Sequence, residues 1–401
     1  MSRGGISGFQ PERIAQILAI RRLTQLALSA MVDVSPATMS KWRSGTHSPE
    51  PETLDRLAKV VNVTPEWFTR PCPKKVSKPL FRSNASAHVA ARAMLEARME
   101  WSQEIALAMS EFVDFPPLNL PHRNFPNPEL ISHEEIELAA TECREIWRLG
   151  KVAVQDLTLA AEGAGVIIIR EETGIPQIEG LSAWSEAVGR PFVLLSSDKD
   201  NCYRSRFDLA HEIGHLVLHR HVNNSSAQIH HNLMEKQAHA FAGALLLPAE
   251  SFVLEVHTPV TLDDLLLLKR RWGASVAAIM MRLHALGLID DEEKLSLFKR
   301  RSVRWGSKAE PGDQERKPEC PRLLQRTVNL LIEENVMPKE AMPRHFGLSA
   351  TDIESLSGLP SGYFKSQNNV IQLAKLKRTS EEPTANHQGN SVVIPFRSNR
   401  E

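Results

Sequence analysis

Two histidines four residues apart, with a glutamate beside the first, form the most restrictive segment of this sequence. The nonapeptide HEIGHLVLH runs from His211 to His219, and apolar residues fill most of its other positions. Residues i and i+4 share one face of a helix, so His211 and His215 can point their imidazoles at one metal ion. Glu212 then lies where it can take a proton from a metal-activated water. The alternative is a buried helix that carries histidines by chance, because the motif fixes only three positions.

The neighbouring sequence favours the metal site. The runs AGVIIIREE (164–172) and RPFVLLSSD (190–198) are short, apolar and β-branched, which predicts strands. A strand followed by a largely apolar helix that bears HExxH is typical of zincin-type sites. The helix would lie in a core through the apolar residues Leu209, Ala210, Ile213, Leu216 and Val217.

Two residues compete for the third ligand position. His221 has the spacing of the metzincin signature HExxHxxGxxH, but Leu218 stands where that signature has glycine. On a helix that continues through Leu218, His221 would face away from the histidine pair. Glu235 lies on a second predicted helix, NLMEKQAHAFAGALLLP, whose small residues permit close approach. Glu235 would complete a His₂Glu zinc site with an open fourth position, although such ligands also suit other metals.

The metal motif and its surroundings resemble the ImmA/IrrE family of metallopeptidases. The resemblance rests on RSRFDLAHEIGHLVLH, EKQAHAFAGALLLP, the segments GVIII, GLSAW and FVLLSS, and residues 268–289. It implies His211, His215 and Glu235 as zinc ligands and Glu212 as the general base. His239 stands where the family often has Asn or Asp. His239 could support a metal ligand, stabilise the tetrahedral oxyanion or be only a tolerated substitute, and Tyr203 is a second candidate to support a ligand. Core or surface roles are favoured for Tyr203, His219 and Arg206.

The N-terminal region reads as short helices separated by turns. Thr24 and Ser35 are predicted helix caps, and Pro36 and Pro65 stand at first helical positions. The pattern LTQ…LA…VS…TMSKWRSG…P…LDRLAKVVNV resembles the Cro/repressor (XRE-type) helix-turn-helix family, with Asp33 at the turn position where glycine is usual. The resemblance implies that residues 35–43 form the recognition helix for double-stranded DNA. The candidate DNA contacts are Gln25, Ser35, Thr38, Ser40, Lys41 and Arg43.

Charge distribution supports an anionic partner for this region. Residues 1–82 carry thirteen Lys or Arg against six Asp or Glu, whereas the whole chain has a formal net charge of zero. A basic module on an acidic body is typical of nucleic-acid binding. The alternative is a small helical domain that contacts only proteins.

Composition limits the other function classes. The four cysteines lie far apart and form no CxxC pair, so a disulfide framework is not expected and a reducing cytoplasm is the natural location. The N-terminus lacks the apolar segment of a signal peptide, and apolar runs are too short for a membrane span. We therefore expect no membrane partner, whereas a homodimer stays open.

The sequence thus predicts a multidomain protein: an all-α helix-turn-helix domain, and an α+β zincin-like metallopeptidase domain with a helical C-terminal region. The predicted segments are a helix-turn-helix domain (11–69), a linker and coupling helix (70–129), a metallopeptidase domain (130–298), a helical C-terminal region (299–376) and a disordered tail (377–401). Within the C-terminal region, 299–321 reads as a linker and the later helices as a small cap on the peptidase, with a faint likeness to a second helix-turn-helix.

Two functions follow from this organisation. In the first, a DNA-binding regulator cuts a repressor-like protein with a zinc endopeptidase site, and DNA binding brings the peptidase to its target. In the second, the chain is a transcriptional regulator or antitoxin-like protein whose zincin domain is a sensor or binding module without proteolysis. An intact HExxH with Glu235 favours the first.

Overall fold

The N-terminal residues form short helices that begin where the sequence marks a cap or a proline. Their bounds are α1 Glu12–Ile20, α2 Gln25–Val32, α3 Pro36–Arg43, α4 Pro51–Val61 and a 3-10 helix at Pro65–Thr69. The side chains of Thr24 and Ser35 each accept a hydrogen bond from the backbone N–H three residues later. These bonds satisfy donors that a helix start leaves free. Asp33 follows α2 with φ 57°, the left-handed conformation that the turn needs.

A long helix and a proline-rich stretch lead from these helices to the central part of the chain. Helix α5 is Val89–Ser110, a 3-10 helix is Pro128–Leu130, and helices α6 and α7 are His133–Ile146 and Leu157–Gly163. The stretch between α5 and the 3-10 helix contains neither helix nor strand, and its four prolines disfavour both. Ser132 caps α6 by accepting a hydrogen bond from Glu135 N–H.

A three-stranded sheet follows, and the metal-motif helix comes directly after its last strand. The strands are β1 Ile167–Glu171, β2 Gly180–Ser185 and β3 Arg190–Ser196, in the order β1-β3-β2. Strand β3 pairs parallel with β1 and antiparallel with β2. The next helices are α8 Cys202–Leu218, α9 Asn224–Ile229 and α10 His231–Leu246.

The sheet separates two hydrophobic cores, because neighbouring residues of a strand point to opposite faces. Ile167 and Ile169 of β1 belong to a first core that includes residues of α1, α4 and α5. Ile168, between them, belongs to a second core with residues of α8, α10 and α13, the last of which spans Val276–Ala285. Both faces of the sheet are therefore buried, and the N-terminal helices share a core with one of them.

The remaining helices divide between these two cores. Their bounds are α11 Ala249–Phe252, α12 Leu262–Trp272, α14 Asp291–Trp305, α15 Leu323–Glu333, α16 Met342–Phe346 and α17 Ala350–Leu356, with 3-10 helices at Val253–Glu255 and Lys339–Ala341. Helix α14 starts with a capping box and runs past residue 299, where the sequence suggested a linker. Helices α15 and α17 contact β1, and their buried residues belong to the first core.

The C-terminal helices therefore lie on the sheet face that α8 does not occupy. Within α17, Asp352, Ile353 and Glu354 are buried. A recognition helix needs an exposed polar face to enter a DNA groove. The faint likeness of this segment to a second helix-turn-helix thus corresponds to a helix that packs inside the protein.

Charged residues from four segments meet inside the first core. Arg98 of α5 donates to Asp352 Oδ1 at 2.8 Å and to Glu171 Oε1 at 2.9 Å. Arg21, at the end of α1, donates to Asp352 Oδ2 at 2.7 Å. Because Glu171 ends β1 and Asp352 lies in α17, these four residues link the N-terminal helices, α5, the sheet and the C-terminal helices. We call them the buried charge network.

The computed structural model describes residues 5–73, 89–175, 178–306 and 309–365. Those up to Phe364 form one unit by their contacts. The predicted tail (377–401), residues 366–376 of the predicted C-terminal region and residues 74–88 of the predicted linker lie outside the described residues. In the described ranges, every helix is too short or too polar to cross a membrane.

Candidate metal centre and nucleic-acid interface

Helix α8 holds the HExxH side chains inside the second core. Asn201 caps the helix by accepting a hydrogen bond from Arg204 N–H. His211, Glu212 and His215 are 7 %, 5 % and 4 % exposed, respectively. Buried ionisable groups are costly unless they are paired or bind a metal ion, so these side chains require partners.

A glycine lets the second ligand helix approach closely. A Cβ atom at Gly214 would lie 3.2 Å from Ala238 Cα and 3.1 Å from Phe241 Cδ1, tighter than most real contacts. The absence of a side chain at residue 214 therefore lets helix α10 pack closely against α8. This close crossing brings Glu235, on α10, to the two histidines of α8.

The three side chains converge as ligands of one metal ion would. His211 Nε2 and His215 Nε2 are 3.1 Å apart, and the Glu235 carboxylate oxygens lie 3.5 Å from the first and 3.3 Å from the second. A tetrahedral ion with bonds of about 2.0–2.2 Å separates its ligand atoms by about 3.3–3.6 Å. Two imidazoles and a carboxylate are also a usual ligand set of a catalytic site. The residues thus fit a divalent metal ion.

His239 lies close enough to belong to a second, looser ligand set. Ligand atoms of His211, Glu235 and His239 all lie within 4.8 Å of one another. The rings of His211 and His239 are 4.4 Å apart, and His239 Nδ1 is 2.8 Å from the backbone oxygen of Glu235. We favour the set with His215, because each pair of its three side chains brings two ligand atoms within 3.5 Å of each other.

The Glu235 carboxyl carries its negative charge toward the histidines. Burial raises the pKa of Glu235, but hydrogen bonds with His211 and His215 and their charge outweigh burial and hold the pKa well below its ordinary value. The group is therefore ionised at neutral pH. A buried carboxylate beside two imidazole nitrogens is suited to a cation.

Strand β2 holds the candidate general base. Ser182 Oγ donates a hydrogen bond to Glu212 Oε2 at 2.6 Å. A Cβ atom at Gly180 would lie 3.4 Å from Glu212 Cγ, so β2 packs directly against this side chain. The sequence analysis did not single out Ser182. Its position in the GLSAW segment, between the two predicted strands, was the available signal.

His219 contacts the candidate ligand His215, and Gln237 contacts His219; the sequence analysis assigned neither of them to the centre. His219 Nδ1 lies 2.9 Å from His215 Nδ1, and His219 Nε2 lies 3.1 Å from Gln237 Oε1. Gln237 Nε2 donates to the backbone oxygens of Pro128 at 2.8 Å and Ile131 at 3.2 Å. The i, i+4 spacing of His215 and His219 was a signal that they share a helix face.

A cavity of about 860 Å³ adjoins the candidate metal centre. Glu235 and His239 line it on one side, and Arg204, Asp208, Met281 and Arg282 contribute to its other walls. Its volume lies within the range of small-molecule sites. Charged and apolar side chains both contribute to its walls.

Two residues considered in the sequence lie away from the histidine pair. Tyr203 is in the first turn of α8, about 12 Å along the helix axis from His211. Its ring contacts Lys269, whose Nζ is 4.4 Å from the ring centroid. His221 lies beyond the end of α8, with its ring 5.5 Å from that of His122.

The face of α3 that the sequence assigns to DNA is open. Met39 and Trp42 are buried and hold the helix to its domain, which leaves the polar residues on the other side. Ser35, Ser40, Lys41 and Arg43 are exposed, and Gln25 and Thr38 are half-buried. Arg43 Nη1 donates to Gln25 Oε1 at 3.3 Å, so residues of α2 and α3 form one polar surface.

We expect the double substitution Lys41→Ala/Arg43→Ala to lower the affinity for DNA and to make this affinity less dependent on salt concentration. Each lost phosphate contact lowers the slope of log K against log salt by about 1, so the slope should fall by about 2. Binding of a mixed-sequence DNA duplex over a range of salt concentrations measures this slope. Lys299→Ala, an exposed lysine on α14, is the control. Equal slopes for the double variant and the control would contradict the assignment of α3.

Comparisons with known proteins agree with both parts of this geometry. Residues 161–284 match the IrrE N-terminal-like domain of peptidase family M78, and residues 14–68 match a helix-turn-helix family. The first match contains the HExxH segment and Glu235, and the second contains α2 and α3. A search of curated proteins gave no match. The predicted fusion of an XRE-type helix-turn-helix domain with an ImmA/IrrE-like peptidase domain is confirmed.

Proposed function

We propose that this chain is a DNA-binding regulator that cleaves a repressor-like protein at a zinc-dependent endopeptidase site. The observation that carries the proposal is the convergence of His211, His215 and Glu235, with Glu212 beside them. The match to a peptidase family over 161–284 supports an enzyme, and the helix-turn-helix match supports a DNA partner. A repressor-like substrate rests on the resemblance to the ImmA/IrrE family.

His211, His215 and Glu235 would hold the zinc ion. A zinc ion in such a site supplies a Lewis acid and makes water acidic near neutral pH. Glu212 accepts the proton of the attacking water and then delivers it to the leaving amine of the cleaved peptide. Ser182 holds one carboxylate oxygen of Glu212 through its 2.6 Å hydrogen bond, which limits the rotation of the base.

Strand β2 supports an extended polypeptide as the substrate. It pairs with β3 along one edge, and within the described ranges the sheet has no strand on the other edge of β2. A free strand edge offers backbone donors and acceptors to an added peptide strand. Because β2 also carries Ser182, a peptide added there would run beside Glu212.

The test is a search for new protein N-termini in native cells that express the wild type, Glu212→Gln or Glu292→Gln. Glu292 is an exposed residue of α14 and serves as the matched control. We expect new N-termini with the wild type and the control and none with Glu212→Gln, because the amide cannot take the proton of water. Identical N-termini with and without Glu212 would refute proteolysis. Intact regulation by Glu212→Gln would favour the sensor or binding-module function.

The same design tests whether DNA binding brings the peptidase to its target. Deleting the N-terminal domain would be uninformative, because Ile14, Ile17 and Leu54 are part of the first core. Lys41→Ala/Arg43→Ala changes only exposed side chains. If the chain acts on a DNA-bound target, this variant should cleave it more slowly in cells but at the wild-type rate when purified. Unchanged cleavage in cells would refute recruitment.

A further inference from the structure

The side chains behind His215 form a continuous row of hydrogen-bonding groups that ends on the backbone. The row runs from His215 through His219 to Gln237, with distances of 2.9 Å and 3.1 Å between the polar atoms. It ends at the backbone oxygens of Pro128 and Ile131, which precede α6. His219 and Gln237 are 4 % and 5 % exposed, so the row is shielded from water.

The backbone end of the row fixes which atoms donate. Carbonyl oxygens only accept hydrogen bonds, so the Gln237 amide must turn its NH₂ group toward Pro128 and Ile131. The opposite orientation would place Gln237 Oε1 against two other oxygens. Gln237 Oε1 therefore faces His219 Nε2, and because this oxygen only accepts, His219 Nε2 must carry a hydrogen.

The hydrogen on His219 Nε2 in turn determines which nitrogen of His215 donates. Among the described residues, His219 contacts His215 and Gln237 and no carboxylate. A buried imidazolium without a carboxylate partner is costly, so His219 is neutral. A neutral His219 with hydrogen on Nε2 presents Nδ1 as an acceptor. His215 Nδ1 must then donate to it, while His215 Nε2 faces His211 and Glu235.

We infer that His219 and Gln237 are positioning residues that hold His215 in the tautomer with hydrogen on Nδ1, so that its Nε2 is ready to bind a metal ion. Ligating histidines usually donate their other N–H to a carboxylate, a backbone carbonyl or water. Here the acceptor is a neutral imidazole, which orients the ligand without adding negative charge beside the centre. The inference rests on the metal site of the proposed function.

The test compares two substitutions at His219 in the full chain. His219→Leu removes the acceptor for His215 Nδ1, whereas His219→Asn can offer its side-chain oxygen in the same place. Loss of such a partner typically weakens metal binding about 10–100-fold. We therefore expect His219→Leu to raise the Kd for zinc by that factor and His219→Asn to stay close to the wild type. Competition with a chromophoric chelator measures the Kd.

A second measurement needs neither metal nor activity. Nitrogen-15 chemical shifts of labelled histidines in the zinc-free wild type report which nitrogen of His215 carries hydrogen, and we expect Nδ1. A His215 Nδ1 without hydrogen, or equal zinc affinity in His219→Leu and the wild type, would overturn the inference alone. A wild type that binds no zinc would overturn the metal site together with it. The nitrogen measurement decides the inference even if His219→Leu does not fold.

Discussion

Glu235→Ala is expected to raise the Kd for zinc by about 10²–10³-fold. Structural zinc sites with four protein ligands bind with about 10–16 kcal/mol, or roughly 2.5–4 kcal/mol for each ligand. Glu235 supplies the only negative charge among the three converging side chains, since the other two are imidazoles. Its loss removes both a ligand and this charge. Zinc content after dialysis against a weak chelator, with a competition titration for the Kd, measures the effect.

Three further variants make this experiment decisive. His221→Ala is the matched control, because His221 lies beyond α8 against His122 and should keep its zinc. His215→Ala should lose zinc as Glu235→Ala does, whereas His239→Ala should change the Kd only a few-fold. Zinc loss in His239→Ala with only a small change in His215→Ala would instead identify His239 as the ligand in place of His215. Zinc loss in His221→Ala alone would instead support the metzincin arrangement.

The sequence predicts most of the candidate metal centre because the main determinant of this site is local. The i, i+4 spacing of His211 and His215 fixes a shared helix face whatever surrounds it. The position of Glu235 is harder to predict, because its distance from the two histidines depends on the close packing of α10 against α8 at Gly214. The sequence shows the glycine but does not show which helix packs there. The resemblance to a known family supplied that information.

Side chains that act on the centre from other elements were not predictable in the same way. Ser182 reaches Glu212 across thirty residues, and Gln237 reaches Pro128 across more than one hundred. Such contacts depend on strand register and on the path of an extended segment, and no periodic sequence pattern predicts either of them. The sequence places His219 on the same helix face as the candidate ligands, but it does not indicate that Gln237 is its hydrogen-bonding partner.

The packing of the predicted domains against one another could not be predicted from the sequence. The sequence predicts a linker and a coupling helix between the DNA-binding module and the peptidase. Hydrophobic periodicity of 3.6 or 2 residues indicates which face of a helix or strand is buried, but not which element packs against that face. In the structure α5 and the C-terminal helices fill the space between the N-terminal helices and the sheet. The polar and charged sequence of residues 299–321 predicts a linker, whereas helix α14 continues to Trp305 with Leu297 as its one buried residue.

Asp352→Asn is expected to lower the free energy of unfolding by about 3–5 kcal/mol, the usual result of removing one partner from a buried ion pair. The Asp352 side chain is 8 % exposed and accepts hydrogen bonds from Arg21 and Arg98. An amide leaves both guanidinium groups without this negative charge, and Arg98 is itself buried. Urea unfolding at neutral pH, followed by circular dichroism, measures the difference between the variant and the wild type.

The pH dependence of this difference has a defined direction. Burial raises the pKa of Asp352, but hydrogen bonds and charge from Arg21, with help from Ser349 and Arg98, outweigh burial and lower the pKa below its ordinary value. A carboxyl with a lowered folded pKa adds stability above its unfolded pKa of about 3.9 and loses it as the pH falls through the folded value. The gap between wild type and Asp352→Asn should therefore be full at neutral pH and shrink below about pH 4.

Asp291→Asn is the control that separates burial from ion pairing as the cause. Asp291 also pairs with a cation, Lys294, but its side chain is 86 % exposed. Water and salt screen such a pair, so its removal should leave the unfolding curve essentially unchanged. Equal effects of the two substitutions would mean that the buried charge network does not hold the N-terminal helices to the sheet. A large effect at Asp352 alone, fading in acid, would mean that the DNA-binding and peptidase regions fold as one unit through these four residues.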